Sequence, residues 1–86
     1  MIVAAALRHK DNKYEIHFIM GPTRHSQVLD KMSEEGVFQE RDHKDYIYGF
    51  CNEQGEFLDR NEAAKEAFRC GQISKALHTL KSYNIW

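Results

Sequence analysis

Between Asp45 and Ile73, in the stretch DYIYGFCNEQGEFLDRNEAAKEAFRCGQI, a period of two gives way to a helical period within a few residues, and no other part of the chain restricts the fold as tightly. Tyr46, Tyr48 and Phe50 alternate with Ile47, Gly49 and Cys51, the pattern of a strand buried on one face and partly covered on the other. Glu53-Gln54-Gly55 turns the chain, Gly55 supplying the positive φ of a tight hairpin, and Glu56-Phe57-Leu58 returns. Asp59 followed three residues later by Glu62 has the spacing of a capping box, so a helix is predicted from Arg60. Its buried stripe is Ala63, Ala64, Ala67 and Phe68, and Gly71 takes the left-handed position that ends it.

The rest of the chain supplies partners for that unit. Ile2 to Leu7 reads as a buried strand, and Tyr14, Ile16, Phe18 and Met20 alternate with Glu15, His17 and Ile19 as a second strand with one apolar face. His17 falls on the opposite face and reads as a solvated strand residue. Between them His9-Lys10-Asp11-Asn12-Lys13 is a polar turn. Gly21-Pro22 stops the second strand, and Thr23 is the expected N-cap of a helix from Arg24 to about Glu35, with Val28, Leu29 and Met32 inward and Gly36 closing it. Val37-Phe38 is read as the start of a further strand and Arg41-Asp42-His43-Lys44 as a loop. Ser74 is the expected cap of a last helix carrying Ala76, Leu77 and Leu80, followed by a tail from Lys81 to Trp86 whose aromatics need an apolar surface on this chain or a neighbour. The order β-β-α-(β)-β-β-α-α describes an α+β fold, a small antiparallel sheet with helices packed on one side.

At 86 residues the chain holds one domain, 1–86, and a chain this small often gains stability by association, so a homo-oligomer is expected, a dimer or a hexamer. Twelve Lys plus Arg against 13 Asp plus Glu leave a net charge of −1, which argues against a general DNA- or RNA-binding protein and leaves room for a small anionic ligand held by local arginines. Cys51 and Cys70 show no metal-ligand spacing and read as small apolar residues of a reduced, cytoplasmic protein; no metal and no cofactor is expected. Met1 to Leu7 is too short for a signal peptide or a membrane span.

Both principal helices carry a cation where they begin: Arg24 and His25 after Thr23, and Arg60 after Asp59. The helix dipole disfavours a cation there by a few tenths of a kcal/mol to about 1 kcal/mol, so two such placements point to a compensating anion such as a phosphate. Tyr46, Tyr48, Phe50 and Phe57 stand nearby in sequence, and rings, arginine and an amide from Asn61 or Gln72 together suit a nucleotide. Each residue alone has a plainer reading: strand aromatics as core, Arg24 and Arg60 as surface cations, Asn61 as a helix-start residue. Catalytic motifs for zinc proteases, nucleophile elbows and phosphate loops are absent from the sequence. His25 beside Arg24 and Ser26 could serve a phosphodiesterase as general base, but it has no partner acid and fits a ligand contact or a surface residue better; no enzyme is expected.

The string Gly49-Phe50, Gly55-x-Phe57, Asp59-Arg60-x-Glu62-Ala63 and Gly71-Gln72-Ile73, with the IVAAAL start and the Arg24-His25 pair, resembles a group of small phage-encoded proteins that read GF, GxF, R-x-EA, GQ. Through them the chain resembles the Thoeris anti-defence sponges. That resemblance implies a phage protein acting in the host bacterial cytoplasm, which sequesters a cyclic nucleotide or cyclic ADP-ribose-like immune signal without cleaving it. It implies ligand contacts at Arg24 and Phe50, then at Arg60 and Asn61. Members of the group often end in an acidic motif before the last aromatic, whereas this chain ends Ser82-Tyr83-Asn84-Ile85-Trp86. The other readings are a protein-interaction inhibitor docking on a host factor through Tyr83 and Trp86, and a small cyclic-nucleotide phosphodiesterase using His25.

Overall fold

The alternation over Tyr46–Asn52 becomes the strand at the middle of the molecule, and every other element is placed by what it offers that strand. The computed structural model describes residues 1–39 and 42–86, with Gln39 and His43 described through their backbone alone. The elements are β1 (Ile2–His9), β2 (Asn12–Phe18), α1 (His25–Glu34), 3-10 turns at Val37–Gln39 and His43–Asp45, β3 (Tyr46–Asn52), β4 (Phe57–Asp59), α2 (Arg60–Arg69) and α3 (Ser82–Ile85). The four strands form one antiparallel sheet in the order β2-β1-β3-β4. This is the α+β architecture expected from the sequence.

The register decides which side chains meet. Ala5 lies opposite Phe50 and Leu7 opposite Tyr48, so these four share a face. There Ile2, Ala5, Leu7, Tyr46 and Phe50 form one core with Val28 and Met32 of α1, Ala63, Ala64 and Ala67 of α2, and Ile73 and Leu80. The three α2 alanines are fully buried, so α2 packs through its smallest side chains and its backbone comes close to the sheet. Phe68, expected in the same stripe, is instead 47% exposed, because the contact has room for alanine and not for a ring.

Both ends of α2 follow the sequence. The Asp59 carboxylate accepts from the backbone N–H of Asn61 at 2.9 Å and of Glu62 at 2.8 Å, and the Glu62 carboxylate accepts from the Asp59 N–H at 3.2 Å. At the other end Gly71 has φ +76°, its N–H reaches the Phe68 carbonyl, and the Gln72 N–H reaches the Ala67 carbonyl at 2.8 Å, a Schellman ending. Gln72 then turns its side chain to β1, accepting from the Ile2 N–H at 2.6 Å and donating to the Ile2 carbonyl at 2.8 Å. Its amide therefore does the work of a paired strand, and is not free to read a nucleotide.

Other expectations are corrected. Val37 and Phe38 lie in a 3-10 turn rather than a strand, with the Phe38 ring edge-on to Tyr46 at 6.1 Å. The Arg41 part of the expected loop lies outside the described residues. Thr23 does not cap α1: its hydroxyl donates to the Ile19 and Gly21 carbonyls, and the N-cap is Arg24, whose N–H is held by the Gln27 side chain at 2.8 Å. Ser74 to Leu80 is not helical, because tertiary ties hold it along the start of α2, the Leu80 N–H on the Arg60 carbonyl at 2.9 Å and the Thr79 hydroxyl on Asn61 Oδ1 at 3.2 Å. The helix falls instead in the expected tail, as α3. His17, opposite Leu7, faces the helices and is half-buried with Glu15 and Tyr46, while Ile16 and Phe18 face away from them.

Candidate functional site

The start of α1 is closed by the chain's own last residues. His25 is 8% exposed, its Nε2 2.7 Å from the Gly49 carbonyl and its Nδ1 3.0 Å from Ser82 Oγ. A carbonyl only accepts, so Nε2 carries the proton and Nδ1 accepts from the Ser82 hydroxyl. Burial lowers the pKa of this imidazole, the Gly49 carbonyl opposes that shift, and the nearby Arg60 charge adds to it. The Trp86 indole N–H donates to the Thr23 carbonyl at 2.8 Å, and Arg24 Nη2 donates to the Trp86 carbonyl oxygen at 3.1 Å. With both ring nitrogens engaged and the ring buried, His25 ties α1, β3 and α3 together.

Phe50, fully buried, meets His25 at 5.0 Å and Trp86 at 6.3 Å between ring centroids, and so belongs to the core beneath the site. The start of α2 is likewise satisfied from within, since the Asp59 carboxylate supplies the negative charge its N–H groups attract. Asn61 is exposed, with Oδ1 accepting from Thr79.

Arg60 is different. Its guanidinium carbon lies 5.1 Å over the Tyr48 ring and its Nε is buried without a hydrogen-bond partner. Tyr48 is half-buried, contacts the His25 ring at 5.3 Å, and forms one wall of a cleft of about 330 Å³ lined also by Leu29, Asp30, Ser33 and Phe38. That volume is at the lower end of small-molecule sites. The structure thus brings His25 and Arg60 onto Tyr48, with Phe50 against His25, while Arg24 is exposed and bonded to Trp86 and Asn61 is exposed. A larger cleft of about 440 Å³, lined by Gly71, Gln72, Ile73, Ser74, Lys75, Leu77 and Asn84, offers one cation and no ring. Ser82, Leu29, Ser33 and Phe38 carry no local signal that would have marked them, since each joins the site through contacts distant in sequence. Among the described residues no cluster of His, Cys, Asp or Glu could hold a metal ion, and no helix is long and apolar enough to cross a membrane.

A four-stranded antiparallel sheet with helices on one face, and an arginine stacked on a tyrosine that also lines a small cleft, define a small α+β protein. The chain belongs to the phage T4 y16D protein family, whose sequence model it matches over residues 1–86, and is therefore a small phage protein. No curated protein and no solved structure matches it.

Proposed function

We propose that this phage protein is a binding module that sequesters a nucleotide immune signal, a cyclic nucleotide or cyclic ADP-ribose-like molecule, without cleaving it. One observation carries the reading: Arg60 is a half-buried cation stacked on Tyr48, a ring that also lines a cleft, with no hydrogen-bond or ion-pair partner for its side chain among the described residues. A buried donor left unsatisfied is costly, and a phosphate oxygen is a suitable acceptor for a guanidinium. Asp30 and Ser33, which line the same cleft, offer a base edge an acceptor and a hydroxyl, and Phe38 and Leu29 offer it apolar contact. The buried, doubly bonded His25 is poorly placed to act as a base, which favours retention over turnover.

The reading is tested by incubating the pure protein with candidate cyclic nucleotides, removing unbound material, denaturing, and identifying what is released. Intact nucleotide is the expected result, with affinity lowered about 10- to 100-fold by Arg60→Ala, the loss of a charge-assisted contact. Release of cleaved nucleotide, or no retention of any candidate, overturns it.

A further inference from the structure

The sheet face turned away from the helices is apolar, which an antiparallel sheet facing water ordinarily avoids. Its positions follow from the register: Ile16 and Phe18 on β2, Ala4, Ala6 and Arg8 on β1, Ile47, Gly49 and Cys51 on β3, Phe57 and Asp59 on β4. Ala4, Ala6 and Cys51 are buried yet stand outside the helix-side core, and Ile16, Phe18, Ile47 and Phe57 are half-buried without packing against it. Asp59 is engaged by the α2 amides, and Arg8 lies 5.3 Å over the Phe57 ring with its Nε buried and unpartnered.

We infer that this face is the contact surface of a homodimer, two copies stacked sheet on sheet with their strands running in opposite directions. Area supports a second copy. β1, β2 and β3, spaced about 4.8 Å apart and seven or eight residues long, with the three-residue β4 at one edge, give a footprint of about 400 Å². Two such faces bury on the order of 800–1,000 Å², the size of a weak dimer that forms at high concentration.

Charge sets the direction. Arg8 stands opposite Ile47 at one end of the face; at the other end, beyond the Ile2–Asn52 pair, the β3–β4 turn carries Glu53, paired with the Met1 ammonium at 3.1 Å, and the exposed Glu56, which has no cationic partner among the described residues. A two-fold axis in the interface and perpendicular to the strands carries each Arg8 to the acidic turn of the other copy. Stacking with the strands in the same direction would instead bring the two Arg8 side chains to one end. The clefts beside Tyr48, on the opposite face, stay open in this dimer, so it does not depend on the nucleotide reading.

Sedimentation equilibrium tests it. The wild-type protein is expected as a dimer at micromolar to millimolar concentration, with Ile47→Lys raising the dimer dissociation constant about 100-fold or more. Arg8→Glu and Glu56→Arg are each expected to raise it about tenfold, and the double reversal to restore it. The unaltered chain gives a second readout: on dilution, backbone amide resonances of Ile16, Phe18, Ile47 and Phe57 should shift while those of α1 and α2 stay fixed. A monomer throughout, dilution shifts elsewhere, or a dimer indifferent to Ile47→Lys overturns the interface. A double reversal no better than the single ones overturns the antiparallel stacking.

Discussion

Replacing His25 by Gln should change how stability depends on pH in a direction the site dictates. The folded state lowers the His25 pKa below its ordinary 6.5, chiefly by burial. Well above that value neither the folded nor the unfolded chain carries a proton here, and the variant differs from wild type by lost packing and by the partners left on the Gly49 carbonyl and Ser82 hydroxyl, about 1–3 kcal/mol for each group unsatisfied. Below 6.5 the unfolded chain takes up the proton and the folded chain does not. The unfolded state then binds more protons, so wild-type stability falls with falling pH by up to about 1.4 kcal/mol per unit, until the folded-state pKa is passed. Groups facing the ring, Tyr48, Phe50, Ser82 and the cationic Arg60, include no carboxylate that would reverse this sign. Urea unfolding of both proteins from about pH 8 to pH 5 measures the effect, the other histidines cancelling because both proteins carry them. The difference between them should shrink as pH falls below 6.5. A difference constant over that range would refute the buried neutral imidazole.

Four further outcomes are expected. Glu66 is held down at about 2, first by the Met1 ammonium and then by Arg69, so its contribution is lost as pH falls from 4.5 toward about 2; Glu66→Gln should remove that limb of an acid-unfolding curve. The same pair raises the Met1 ammonium to about 10, so its share is lost again as pH rises above 8.0 toward that value. Burial pushes the Cys51 thiol up to about 11, and mass spectrometry after brief alkylation of the native protein near neutral pH should find Cys70 modified and Cys51 untouched. Asp59→Ala should cost about 0.5–2 kcal/mol in urea unfolding by removing the α2 N-cap. Gly49→Ala should unpair β4, seen as faster amide exchange at Leu58 and Phe50, because a Cβ there would collide with the Leu58 carbonyl oxygen and the Phe57 ring.

The elements legible along the chain are those whose cause is local. The β3 alternation, the Gly55 turn, the Asp59 cap and the Gly71 ending were readable because each is set by residues within a few positions of one another. The pairing of a strand-rich start with a hairpin and helix was enough for the fold class. Tertiary structure decided the rest. Register put His17 on the helix side and Phe18 on the bare side, a choice that alternation cannot make. Contacts with Arg60 and Asn61 held Ser74–Leu80 out of a helix, and a histidine buried beside Ser82 turned the supposed tail into the cover of α1. The candidate site divided along the same line. Arg60 was legible as a cation at a helix start, but its place on Tyr48, the loss of Phe50 to the core and the Asp59 carboxylate satisfying the α2 amides depend on packing between segments far apart in the chain. Local sequence sets which conformations are cheap; only burial against distant residues sets which charges remain without a partner.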